Sequence, residues 1–156
     1  MQYIQTPHDA ELNAAEAMKA WGFGDAVATT GGADGGIDVR SKRALAQVKW
    51  KGGVTGRPDI QNLYGARGMG DELLFFFSAS GYSDQAVVYA DQVGISLFTY
   101  DPIGAVEAAN KVARDFLAMS ATSVRVANPL DVTFILQLSI SLVVISATAA
   151  LLFLFA

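Results

Sequence analysis

Residues 132–156 form a run of 25 positions without one charge, rich in Leu, Ile, Val, Ala and Phe. About 20 apolar residues suffice to cross a bilayer core as a helix, so the run predicts a transmembrane helix. Gln137 and the run's serines and threonines fit such a helix, since hydroxyls can bond back to the helix backbone. A chain of 156 residues has little room to surround so long a helix with a globular domain. Pro129 and Asp131 punctuate its start. The expected organisation is therefore a folded domain over 1–118, a linker over 119–131 and a transmembrane helix over 132–156. The N-terminal residues lack the basic-then-apolar pattern of a signal peptide. A single span at the C-terminal side predicts a location at the cell membrane, crossed once, with the folded domain in the cytoplasm. Arg125 is the only basic residue close to the run on its N-terminal side, and its sign agrees with that orientation.

The chain has no cysteine, which excludes disulfides, zinc–thiolate sites and cysteine nucleophiles. Its single histidine, His8, cannot build a histidine-rich metal site alone. The formal net charge is −4, yet residues 40–67 hold seven basic residues and one acid, Asp59. That segment carries +6 and the remainder −10. Phosphate binding responds to the local field rather than to net charge, so a polyanionic partner stays in play; the plain alternative is a solvated basic face.

Within the first 118 residues the periodicity predicts an alternation of helices and strands. Leu12, Ala15 and Met18 recur at helical spacing over 9–21, and Gly22 ends that helix. Residues 26–29 read as a short strand, and 37–40 and 45–50 as a hairpin around a Ser-Lys-Arg turn. Pro58 and Asp59 suit the first turn of a helix over 58–67. The apolar run 73–79 predicts a central strand buried on both faces. Ser83 or Asp84 caps a helix that Gly94 ends, 95–100 is a further strand, and 106–119 reads as a last amphipathic helix. The order is α-β-β-β-α-β-α-β-α, a mixed sheet with helices on both faces.

The chemistry concentrates where Gly31-Gly-Ala-Asp-Gly-Gly-Ile-Asp-Val39 precedes Gln47-Val-Lys49. Gln47 and Lys49 are two apart and share a strand face. If Ile37 and Val39 face the core, Asp38 faces the other way, and the hairpin can bring Asp38, Gln47 and Lys49 together. Magnesium takes oxygen ligands and keeps several waters. Asp38 can supply a carboxylate oxygen and Gln47 an amide oxygen. Lys49 can hold the attacking water and steady negative charge developing on phosphorus. The reaction so equipped is metal-assisted phosphodiester hydrolysis, with Mg2+ as cofactor and Mn2+ as a substitute. The glycine run is not a P-loop, since no Gly-Lys-Ser/Thr follows, and it lacks the spacing of a dinucleotide fingerprint. Asp34 is read as shaping the glycine turn.

The run GGADGGIDV, then AQVKWK, an Asp-Ile-Gln helix and LLFFFSASGYSDQAVVYA resembles the catalytic domain of Mrr-like restriction endonucleases, in the PD-(D/E)xK nuclease superfamily. The resemblance covers roughly residues 9–101. It implies a restriction-endonuclease-like α-β-β-β-α-β core with a mixed sheet flanked by helices. It implies Asp38 as metal ligand and Gln47 and Lys49 as the Gln-x-Lys form of the second half-motif. It also implies a supplementary glutamate about eleven residues before the glycine that ends the first helix, a spacing that Glu11 has from Gly22. The superfamily's usual acid is replaced by Gln47, so Glu11 must restore the charge. The function implied is a metal-dependent DNA endonuclease of restriction or defence type, tethered to a membrane, with Lys42, Arg43, Lys51 and Arg57 as candidate DNA contacts. Two copies acting as a homodimer could cut both strands. The alternative is a nuclease-fold module that binds DNA at the membrane with little or no cutting.

Overall fold

The computed structural model describes residues 3–29, 36–50 and 52–126, apart from the side chains of 122–126. Local chemistry sets the helix boundaries. Helix α1 (Pro7–Ala20) starts on a reciprocal capping box. Thr6 Oγ1 accepts from the Asp9 amide at 3.1 Å, and the Asp9 carboxylate accepts from the Thr6 amide at 2.9 Å. Helix α2 (Arg57–Ala66) has Pro58 in its first turn, and the Asp59 carboxylate accepts from the Gly56 amide at 2.9 Å. Helix α3 (Asp84–Val93) is capped by Ser83 and stopped by Gly94, whose φ of 76° is the left-handed conformation that favours glycine.

Six strands form one sheet in sequence order: β1 (Val27–Ala28), β2 (Val39–Arg40), β3 (Ala44–Lys49), β4 (Leu73–Ser78), β5 (Ile95–Tyr100) and β6 (Val106–Ala108). β1, β2 and β3 pair antiparallel, β3, β4 and β5 parallel, and β6 returns antiparallel on β5. The parallel centre requires crossovers, and α2 and α3 supply them. β4 packs on both faces, which is why its sequence is apolar without alternation. Phe75 and Phe77 pack with Ala10, Ala14, Met18 and Phe98 on the α1 side. Leu74 and Phe76 pack with Ile60, Leu63, Ala86 and Ala90 on the side of α2 and α3. The alanines of α1 let that helix sit close to the sheet, and the Trp21 ring at its end packs tilted against Phe98, with centroids 4.5 Å apart.

Two expectations need correction. The helix expected over 106–119 begins as strand β6, and helix α4 (Lys111–Val126) follows. Asn110 separates them: its Oδ1 accepts from the Ala113 and Leu97 amides, both at 3.0 Å, capping the helix and bonding to β5. Three residues are too few for a strand period to emerge in a sequence, so the helical pattern absorbed them. The transmembrane helix expected over 132–156 lies outside the described residues. Among those described, no helix is long and apolar enough to cross a membrane. The fold class is therefore corrected to a mixed α/β core of six strands and four helices, with no membrane span among the described residues. Of the expected linker, residues 119–126 continue α4 and the rest lies outside the described residues.

Candidate active site

The site is built on the open end of the β2–β3 hairpin. Val39 pairs with Ala46 and Arg40 with Leu45. The Asp38 amide nevertheless also donates to Ala46 O, at 2.9 Å. Two consecutive residues thus face one on β3, the arrangement of a β-bulge, which re-aims side chains and recurs beside active sites. The expected alternation breaks here: Ile37 packs in the α2/α3 layer and Val39 in the α1 layer. The Thr29 amide donates to Asp38 O and the Thr29 hydroxyl to Ile37 O, both at 2.8 Å, pinning the bulged segment. With the register shifted, Asp38 Oδ2 accepts from the Val48 amide at 2.7 Å. The acid is thereby fixed against the Gln47–Val48 peptide.

Gln47 and Lys49 lie across from Phe76 and Ser78, on the sheet face that carries α2 and α3. Among the described residues, the buried Gln47 Oε1 has no hydrogen-bond partner. An amide oxygen so placed costs free energy unless something accepts its lone pairs. Gly36 makes room for this side chain. Its φ is 84°, and a Cβ there would sit 3.0 Å from Gln47 Nε2.

Burial pushes the Asp38 carboxyl above its ordinary value, the Val48 amide opposes that shift, and the negative charge of Glu11 adds to it. α1 therefore brings Glu11 into the field of Asp38. Glu11 Oε2 lies 3.0 Å from His8 Nδ1, one helical turn back. Lys49 Nζ lies 3.3 Å from Asp59 Oδ2, the same oxygen that accepts from the Gly56 amide. Asp59 and His8 carry no motif, yet each holds a residue of the site. Asp59 is the lone acid of the basic segment, and His8 stands three residues before Glu11 on a helix; those were the available signals.

Asp38 feels the charge of Glu11, and Gln47 carries an amide oxygen without a donor among the described residues; these are oxygen donors of the kind a hard divalent cation takes. Among the described residues no group of three His, Cys, Asp or Glu side chains could hold a metal ion.

The basic residues divide. Arg57, at the start of α2, lies with its guanidinium 4.9 Å from the Tyr89 ring centre. Arg43 is engaged in the fold: Nη2 donates to Gly22 O at 2.8 Å, and the guanidinium covers the Phe23 ring at 5.0 Å. Lys42 is exposed in the hairpin turn, where its amide donates to Asp25 at 3.0 Å. That turn is at the other end of β3, roughly 16 Å from Gln47 at the usual strand rise. Lys51 and Asp34 lie outside the described residues.

No curated protein and no solved structure shows a significant match to the chain. The family model of the restriction endonuclease domain Mrr_cat matches residues 4–104, more than half of the chain. The match contains Glu11, Asp38, Gln47, Lys49 and Asp59, and it runs from the residues before α1 to the turn after β5. A bulge-set acid, an amide oxygen and a lysine on one hairpin are thus found inside a matching nuclease domain, and the chain belongs to the Mrr_cat restriction endonuclease family.

Proposed function

We propose that this chain is a divalent-metal-dependent DNA endonuclease of restriction or defence type, in which Asp38, Gln47 and Glu11 hold Mg2+, with Mn2+ as a substitute. The observation that carries the reading is the buried Gln47 Oε1, without a hydrogen-bond partner among the described residues, on the strand whose Val48 amide holds the raised carboxyl of Asp38. When bound, the cation supplies charge neutralisation for the phosphoryl group and lowers the pKa of water at neutral pH. The remaining tasks fall to the protein. Asp38 Oδ2 is fixed by the Val48 amide, which sets the orientation of the carboxylate and leaves Oδ1 for the ion. Glu11 supplies the second negative charge, which a neutral amide at position 47 does not. Lys49 holds the attacking water and offsets negative charge as it develops on the phosphoryl oxygens. Asp59, bonded both to Lys49 and to the start of α2, limits where that ammonium can go.

The test is cleavage of supercoiled plasmid DNA. The wild-type chain is expected to nick it with Mg2+ or Mn2+ and not with EDTA. Asp38→Ala and Lys49→Ala are each expected to stop cleavage while circular dichroism stays native. Full activity in both variants sinks the site assignment. A wild-type chain that binds DNA equally well in EDTA and yields no product with either metal is a non-cutting nuclease-fold module instead.

A further inference from the structure

The three parallel strands β3, β4 and β5 end side by side, at Lys49, Ser78 and Tyr100. The crevice outside the carboxyl ends of parallel strands is where α/β sheets place ligands. A cavity of about 420 Å3 lies there, lined by Trp50, Tyr100, Ile4, Pro102, Gln5 and Asp101, together with Ala79. Its walls are tied together. The Lys49 carbonyl accepts from the Ala79 amide and from the Tyr100 hydroxyl, both at 3.1 Å. The Ile4 amide donates to Pro102 O at 3.0 Å, fixing the segment before α1 against the turn after β5. Burial pushes the Tyr100 phenol up to about 12, so it remains a donor throughout the neutral range.

The lining selects a chemical class. Two aromatic side chains and three apolar ones offer contact surface. Among the described residues no basic side chain lines the cavity, and a carboxylate does, so a phosphate is disfavoured inside. Asp101 Oδ1 is occupied by the amides of Ile103 and Ala105, at 3.0 and 2.9 Å, which leaves Oδ2 to accept a hydrogen bond. A neutral aromatic ring bearing an amino donor fits. The cavity also adjoins the Lys49–Trp50 peptide, directly after the lysine assigned to the scissile phosphate.

We propose that this cavity is a base-binding subsite that takes one unpaired, amino-bearing nucleobase of the DNA substrate, stacked on Trp50 and hydrogen-bonded to Asp101. It rests on the reading of this chain as a DNA nuclease and deepens it: the enzyme engages unstacked or single-stranded DNA near the scissile bond.

The test is fluorescence anisotropy on the full chain in EDTA, where no cleavage occurs. The probes are labelled dodecamers of dC, of dT and of abasic deoxyribose, which share one backbone charge. The dC strand is expected to bind about tenfold tighter than the abasic strand, since base–aromatic stacking contributes on that order. It should also bind several-fold tighter than dT, which lacks the amino group. Trp50→Ala should reduce the first ratio toward one, with Trp50→Phe retaining part of it should the alanine variant fail to fold. Asp101→Asn keeps an oxygen for the turn amides but turns the other atom into a donor, so it should erase or invert the preference for dC over dT. Equal binding of abasic and dC strands overturns the subsite, as does an unchanged dC/dT ratio in Asp101→Asn. Absence of binding to any strand, with plasmid cleavage intact, overturns it too and leaves the nuclease reading standing. Base-dependent binding without plasmid cleavage upholds the subsite and fails the nuclease reading alone.

Discussion

The two ends of the β2–β3 hairpin differ in how their polar groups are satisfied. At the turn end the backbone amides and the Arg43 charge are engaged in the fold, and Lys42 is exposed. Ser41 Oγ accepts from the Arg43 and Ala44 amides, Asp25 takes the Lys42 amide, and the Arg43 guanidinium is spread between Gly22 O and Phe23. At the open end the groups are fewer and incompletely matched. Asp38 carries a raised carboxyl, Glu11 adds to its discomfort, and Gln47 Oε1 has no donor among the described residues. Charge density alone would direct attention to the turn. Unmet hydrogen bonding and electrostatic conflict direct it to the open end, because a site that must bind an ion leaves that ion's ligands dissatisfied without it.

The largest expected effect is on Asp38. Replacing it with Asn removes the proposed metal ligand, worth several kcal/mol of transition-state stabilisation, so cleavage should fall by on the order of 10^3 or more. The same change should stabilise the fold. Burial raises the carboxyl's folded pKa, so the stability Asp38 contributes in acid is lost as pH rises through that pKa, and ionised Asp38 is a burden at neutral pH. Asp38→Asn should therefore melt above the wild type at pH 7, by differential scanning fluorimetry. A variant that melts well below the wild type would mean that Asp38 is structural, like the groups at the turn.

Next in size is a change at Gln47. Gln47→Glu restores the acid usual at this position and adds ligand charge, so it should tighten Mg2+ binding about tenfold by titration calorimetry. In EDTA it should lower Tm, since a third carboxylate would join two that already repel. No change in metal affinity would detach Gln47 from the site. A related expectation concerns pH. Added Mg2+ should raise the wild-type Tm near pH 8, and the gain should shrink as pH falls through the raised pKa of Asp38, where protons compete with the ion.

Smaller is Asp59→Asn, which keeps an oxygen for the Gly56 amide but loses the charge that holds Lys49. We expect kcat to fall about tenfold with little change in KM, as on loss of a positioning contact. The loss should vanish when Lys49 is already replaced. An equal further loss in that background would make Asp59 merely a helix-end residue. Smallest is the turn. Arg43→Ala should cost about 1 kcal/mol of stability through the lost carbonyl bond and ring contact, and should leave DNA cleavage within about twofold of the wild type by initial rate. A large loss of DNA affinity instead would reinstate the turn as an interface.

Much of this was legible in the sequence for identifiable reasons. Ser83 and Gly94 bracket a helix because a hydroxyl cap and a left-handed glycine are local chemistry. The run at 73–78 announced a doubly buried strand because every position after the exposed Leu73 had a core to enter. Asp38, Gln47 and Lys49 could be grouped because a hairpin makes near neighbours in sequence near neighbours in space. The bulge could not be foreseen. Its one-residue shift comes from how Ile37 and Val39 enter different layers, a tertiary outcome that alternation rules assume away. The grip of Asp59 on Lys49 was equally hidden, since it spans the β3–α2 crossover and local signals explain Asp59 already as a helix-start acid. β6 was lost to its brevity. The uncharged run at 132–156 was the loudest signal of all, and it bears on no described element.

The central claim is that Asp38, Gln47 and Glu11 together bind one hard divalent cation. Crystals of the protein grown or soaked with Mn2+ test it most directly, through anomalous scattering at the manganese edge. We predict a single strong peak bonded to Asp38 Oδ1 and Gln47 Oε1 at about 2.2 Å, with Glu11 within reach directly or through a water. A peak elsewhere, or none while Gln47 Oε1 finds a protein donor, would contradict it.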